Sequence, residues 1–269
     1  MCFHDEGGEL LLNTLKAENA LGSIGRDHWG LDFRGISVGS PVGKTMLPLS
    51  FCSAESKRAG QMSPCGAIPD SGTTLLMGPT RHMMELMNSI CDAWRRCSKA
   101  ASRYPLEKFY VFQSILSECE SWLTEANGLG ELPPLHFHVV GSKGNADVLS
   151  IPASSYVLRV AQDEVALLGR RTLGALAVMN RSQIGPAREN LCFPAFGELN
   201  YNTEKNGPVW ILGMPIFYEY QVGYDLRSSP PSIAFDDAPC GRCGAPGAEF
   251  FSKRSGRVRQ PRRLRGPPQ

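Results

Sequence analysis

The sequence predicts an all-β protein, and three observations carry that expectation. Apolar residues fall in short runs bounded by turn residues, the pattern of many short strands. Glycine and proline are plentiful, at 28 and 20 of 269 residues, as frequent turns require. The clearest helical period is confined to one segment, 79–94.

In chain order, Gly7-Gly8 makes a turn leading into a short strand at 9–12. Residues 31–38 alternate apolar with other side chains between Gly30 and Gly39, which reads as a strand. A further strand is expected at 43–49. The polar stretch 50–64, with Lys57, Arg58 and Gly60, reads as a surface loop. Residues 67–78 are apolar around a polar centre. The helix at 79–94 places Pro79 near its first turn and Thr80 as its cap, with Met83, Met84, Leu86, Met87 and Ile90 on one face. A methionine-rich face of this kind reads as core packing. Segment 95–130 is expected to be partly helical, with strands following at 135–140, 148–151 and 155–160. Residues 164–189 read as a long loop around one apolar stretch. Strands at 209–212, 218–225 and 232–235 close a body spanning 1–239. The tail, 240–269, is rich in glycine, proline and arginine and is expected to be disordered. There is no internal repeat.

The formal net charge of +2 conceals an asymmetry. Residues 242–269 hold eight of the 28 basic residues and one of the 26 acidic ones, which leaves the body near −5. An acidic body suits a protein that works at low pH. Nine cysteines point to an oxidising compartment and disulfides, with at least one thiol free or paired between chains. No run approaches the ~18 apolar residues of a membrane span. The first residues lack the basic and apolar regions of a signal peptide. Either the thiols stay reduced, or the native protein begins elsewhere.

The segment that carries chemistry is Ala67-Ile68-Pro69-Asp70-Ser71-Gly72-Thr73-Thr74-Leu75-Leu76. A carboxylate set among apolar residues is costly unless hydrogen-bonded. Ser71, Thr73 and Thr74 offer hydroxyls, and Gly72 lets backbone N–H groups approach closely. On Asp-Ser-Gly alone, a solvated turn is the better reading, and the flanking apolar pairs with Thr73 and Thr74 are what raise the functional one.

With its flanks, 65–80, the segment resembles the second active-site loop of the pepsin-like aspartic endopeptidases: a Cys, two apolar residues, Asp-Thr/Ser-Gly-Thr-Ser/Thr, then Leu-Leu-x-Gly-Pro. Trp210-Ile211-Leu212-Gly213 resembles the family's strand that threads between the arms of that loop in a psi shape. Residues 218–235, with Asp225 in a turn, resemble its closing strands. Residues 8–12 and 28–32 resemble strands opening its C-terminal lobe. The likeness runs in order over about 7–238, so it implies the C-terminal lobe of an acid protease. By position it implies Asp70 as one of two catalytic aspartates and Ser71 as a hydroxyl bracing the two active-site loops. Gly72 and Thr73 would support the carboxylate, and Gly72 and Thr74 would meet substrate backbone. Ile211, Leu212 and Gly213 would form the psi-loop support. It implies disulfides Cys52–Cys65 and Cys119–Cys192, and a secretory, vacuolar, lysosomal or extracellular location. The reaction it implies activates water between two carboxylates and needs neither metal nor cofactor.

The sequence departs from the family in identifiable places. The N-terminal lobe, with its own aspartate loop and flap, is not present, and Asp5-Glu6-Gly7 has no apolar lead-in. The chain is then a piece of a longer protein, a protomer that pairs with a second copy as viral aspartic proteases do, or an inactive lobe binding peptide or protein. Met214 stands where many relatives carry Asp, and Pro69 removes an N–H just before Asp70.

Other candidates are weaker. His136 and His138 share a strand face, half of a metal site, and are expected as exposed histidines. Cys240-Gly241-Arg242-Cys243 reads as a structural disulfide or loose thiols. Cys91 and Cys97 could pair if the main helix breaks between them. The basic run 253–263 could bind nucleic acid, but it lacks interleaved aromatics, and a solvated tail is the better reading. Asn180-Arg181-Ser182 is a glycosylation sequon.

Overall fold

A computed structural model describes residues 1–4, 7–12, 19–25, 27–39, 47–103, 107–124, 128–161, 190–238 and 240. The strands in chain order begin with β1 (Cys2–His4), β2 (Gly7–Glu9), β3 (Leu21–Gly22), β4 (Leu31–Val38) and β5 (Leu47–Pro48). The Asp70 segment is flanked by β6 (Cys65–Pro69) and β7 (Leu76–Gly78). Three helices follow: α1 (Thr80–Ala93), α2 (Arg95–Ala101) and α3 (Lys108–Ser117). Next come β8 (Leu135–Val140), β9 (Ala146–Ile151), the single-turn α4 (Ala153–Tyr156) and β10 (Val157–Ala161). The chain continues with β11 (Asn190–Pro194), β12 (Phe196–Glu198), β13 (Asn202–Thr203) and β14 (Gly207–Leu212). It ends in α5 (Met214–Glu219), β15 (Gln221–Asp225) and β16 (Ser232–Asp236). The described chain is thus mostly β-sheet with a few short helices.

Most of the strands form one sheet in the order β12-β7-β14-β6-β4-β8-β9, with β13 added to β14 and β5 to β4. β4 lies at its centre because nearly every residue is buried, as a strand covered on both faces demands. Its register on β8 shifts between Phe33 and Ile36. A separate three-stranded sheet runs β15-β16-β3. The core gathers Trp210, Trp94, Phe33, Phe112, Phe137, Phe217 and Tyr156, all fully buried. Each is worth about 1.5–3 kcal/mol by burial.

Helix α1 buries Met83, Leu86, Met87, Ile90 and Cys91, so its methionine face is core. Trp94 between α1 and α2 is extended, with φ −93° and ψ 105°. That break turns the chain back and lets Cys91 meet Cys97. Cys52–Cys65 and Cys119–Cys192 are also bonded. The fourth disulfide, Cys2–Cys240, joins residues 238 positions apart. Cys240 therefore pairs with Cys2, not within its CxxC, and Cys243 lies outside the described residues. No described helix is long and apolar enough to cross a membrane.

Several expectations are corrected. The strand at 9–12 is instead Gly7–Glu9, paired with β1, while Leu10, Leu11 and Leu12 are exposed and unpaired in the ladder. Pro79, not Thr80, caps α1, and the Thr80 hydroxyl donates to Glu198 at 2.9 Å. Residues 153–156 form a helical turn before β10, and 214–219 form α5, which shortens the strand expected at 218–225. His136 and His138 are not exposed, because β8 lies inside the sheet between β4 and β9. His136 is buried, with one ring nitrogen on Ser150 Oγ (2.7 Å) and the other donating to the Gly39 carbonyl (2.6 Å). His138 meets Ser37 Oγ at 2.7 Å. Residues 43–46, the loop 164–189, the sequon at Asn180 and the basic tail beyond 240 lie outside the described residues.

Candidate functional site

The Asp70 loop is built by three strands. β14 runs parallel to β6, with Trp210 opposite Ala67, Ile211 opposite Ile68 and Leu212 opposite Pro69. On its other side β14 runs antiparallel to β7, with Ile211 opposite Met77 and Leu212 opposite Leu76. The loop 70–75 therefore leaves β6, crosses the end of β14 and returns along β7. Two backbone bonds hold the crossing: Asp70 N–H donates to the Leu212 carbonyl at 3.0 Å, and Met214 N–H donates to Thr73 at 2.8 Å. Gly213 passes so close beneath the loop that a Cβ there would lie 2.2 Å from the Leu75 carbonyl and 2.4 Å from that of Thr73. Only glycine fits that crossing.

The Asp70 carboxylate is gripped at both oxygens. Gly72 N–H donates to Oδ1 at 2.9 Å, and the Thr73 hydroxyl donates to Oδ2 at 2.6 Å. Asp70 is half-buried rather than enclosed, so the desolvated setting expected for it is realised only in part. Ser71 is half-buried beside it, and Gly72 and Thr74 are exposed. An ionised group held by two donors keeps its outer lone pairs available. Ile211, Leu212 and Gly213 occupy the threaded strand and its end, so the two sequence motifs meet in space.

Tyr224 is a member of this site that motif reading missed. Its hydroxyl donates to the Pro69 carbonyl at 3.1 Å, and its ring packs 5.0 Å from Trp29. Burial, and then the charge of Asp70, push its phenol well above the usual range. The bond links the three-stranded sheet to the residue before Asp70. Tyr218, Tyr220 and Tyr224 in the segment 218–225 were the available signal, but the sequence did not indicate which ring would reach the loop.

A second cluster lies where β6 and β14 begin, at the opposite end of those strands from Asp70. His82 stacks on Phe51 with ring centroids 4.3 Å apart, and Trp210 Nε1 donates to His82 Nδ1 at 3.3 Å. Burial holds the His82 pKa down at about 4. A cavity of about 450 Å³ opens beside it, bordered by Phe51, the Cys52–Cys65 disulfide, Arg58, Gln61 and Asn202. Two groups of described residues bring three potential metal-ligand atoms together: Cys52, Cys65 and His82, and Cys2, Glu9 and Cys240. Both contain a disulfide.

No protein-family model matches the chain, and no curated protein matches it.

Proposed function

We propose that the chain is the C-terminal lobe of a pepsin-like aspartic endopeptidase, contributing Asp70 as one of two catalytic carboxylates. The observation that carries the reading is the crossing of β14 between the arms of the Asp70 loop. It presents a carboxylate held by Gly72 and Thr73 at the tip of a rigid support. Four disulfides fit a secretory, lysosomal or extracellular setting.

In this reading a second carboxylate stands close to Asp70, supplied by an N-terminal lobe of the same gene product or by a second copy of the chain. Two carboxylates held together share one proton, because both cannot ionise easily. The ionised one takes a proton from water, whose oxygen attacks the peptide carbonyl. The protonated one donates to the developing oxyanion and then to the leaving amine. Gly72 and Thr74 line the approach of the peptide substrate, and the Ser71 hydroxyl braces this loop against the one that carries the second carboxylate. The scheme uses no metal and no cofactor.

A lobe that binds peptides without cleaving them is the second reading, favoured by Met214. It places a thioether where the resemblance puts an aspartate, beside the N–H that bonds Thr73. Cleavage of a peptide library at acidic pH separates the readings, with protein carrying Asp70 compared with Asp70→Asn. Cleavage abolished by the substitution supports the protease. Cleavage unchanged by it refutes that reading, and peptide binding without cleavage in either form establishes the second.

A further inference from the structure

We propose that Cys52, Cys65 and His82 form a redox-gated site for a soft divalent cation, zinc by preference, open when the disulfide between the two cysteines is reduced. This site is independent of Asp70 and of the protease reading. Both sulfurs and a His82 ring nitrogen lie within 4.8 Å of one another. A tetrahedral zinc ion with bonds of about 2.0–2.3 Å needs ligand atoms roughly 3.5–3.8 Å apart. Reduction frees the two sulfurs, on residues whose Cα atoms lie 5.3 Å apart, to take up that spacing.

Three further features favour the site. Trp210 Nε1 can only donate, so His82 Nδ1 holds the one lone pair of a neutral ring, the form in which imidazole binds metals, and the ion competes with the Trp210 N–H for it. The cavity of about 450 Å³ reaches all three residues, giving an ion its path and a water the fourth position. Cys52 has a φ of +61°, a conformation costly for a side-chain-bearing residue and the sole non-glycine case among the described residues. The loop from 52 to 65 is closed through this residue.

The chemistry balances. A dithiol reductant gives two electrons and two protons to the S–S bond and becomes a disulfide itself, leaving two cysteine thiols. Zinc then displaces both thiol protons and accepts the lone pair of the neutral His82 ring, whose hydrogen bond from Trp210 Nε1 is given up. Two thiolates cancel the dication, so the buried site carries no net charge. The ion and the disulfide are alternative closures of the same loop.

The test reduces the full chain with a phosphine, with and without equimolar zinc, then alkylates with iodoacetamide and maps labelled cysteines by peptide mass spectrometry. Zinc should lower labelling of Cys52 and Cys65 at least about tenfold, and His82→Ala should abolish most of that protection. Cys91 and Cys97, which belong to neither group of candidate ligands among the described residues, should label alike in both samples. Cobalt in place of zinc should give the visible bands of a tetrahedral thiolate site, lost in Cys65→Ser. Absence of protection in the unsubstituted chain overturns the proposal, including the case in which reduction unfolds the loop beyond rescue by zinc. Protection equal in His82→Ala overturns it as well.

Discussion

Replacing His82 with Phe should flatten the loss of stability that the oxidised chain undergoes between pH 6.5 and 4. Burial moves this histidine from 6.5 to about 4, against an opposing pull from Glu85 and with a smaller push from Arg81. The unfolded chain takes up the proton near pH 6.5, while the folded chain resists it until about 4. Over that window the unfolded state binds more protons, so stability is full above it and falls as pH falls through it. The interval from 6.5 to about 4 corresponds to about 3.4 kcal/mol at most. The ring is only partly buried, and solvent screening reduces this to about 1–2 kcal/mol. Phenylalanine keeps the stack on Phe51 and Trp210. It removes the acceptor of the Trp210 N–H, at a cost of about 1 kcal/mol that is the same at every pH. His138, lowered by burial and then by His136, and Asp32, raised by burial, titrate in both proteins and cancel in the comparison. Urea unfolding at about pH 7 and about pH 4 gives the two stabilities from midpoint and slope. The unsubstituted chain should lose about 1–2 kcal/mol more than His82→Phe over that range. Equal losses would refute the assignment of the shift to the stacked, buried ring.

One substitution at the crossing and two disulfide removals test the frame of the fold. Gly213→Ala forces a methyl group onto the Leu75 and Thr73 carbonyls. It should cost at least about 2–3 kcal/mol in thermal unfolding, and an unchanged melting temperature would contradict the crossing described above. Removing Cys119–Cys192 by paired alanines releases a loop of 73 residues, worth about 4 kcal/mol. Removing Cys91–Cys97 releases one of 6, worth about 2 kcal/mol. Chemical denaturation should therefore rank the first loss above the second.

What was legible in the sequence follows the range of the forces involved. α1 was legible because burial on one face writes a local period into it, and β4 because Leu31, Phe33, Ile36 and Val38 stand among other residues between bounding glycines. The break at Trp94 was legible only as a condition for pairing Cys91 with Cys97. Leu10, Leu11 and Leu12 look like a strand by composition, yet strand formation depends on a neighbour, and here the ladder stops at Glu9. His136 and His138 were misjudged for the same reason: their burial comes from β4 and β9 on either side of β8, which no local pattern records. α5 is a six-residue helix opening on Met214-Pro215, too short for a period to declare itself. Cys2–Cys240 spans nearly the whole chain, and spacing holds no trace of it.

The site divides in the same way. The Asp70 and Trp210–Gly213 segments were each visible as motifs, whereas Tyr224 and His82 gain their roles only from tertiary contact. The two halves are joined by Trp210, which explains residues that chemistry alone leaves unexplained. Its fully buried indole lies opposite Ala67 across β14 and β6, and stacks 5.6 Å from Phe51. A Cβ on Gly78 would lie 2.6 to 2.9 Å from three of its ring atoms. The small residues on either side of the Asp70 loop, Ala67 before it and Gly78 after it, are thus the space the indole takes. A Gly78→Ala change would push on Trp210, and through it on the His82 stack at one end and the strand that ends in Gly213 at the other. The composition of the motif is set by packing as much as by the carboxylate it carries.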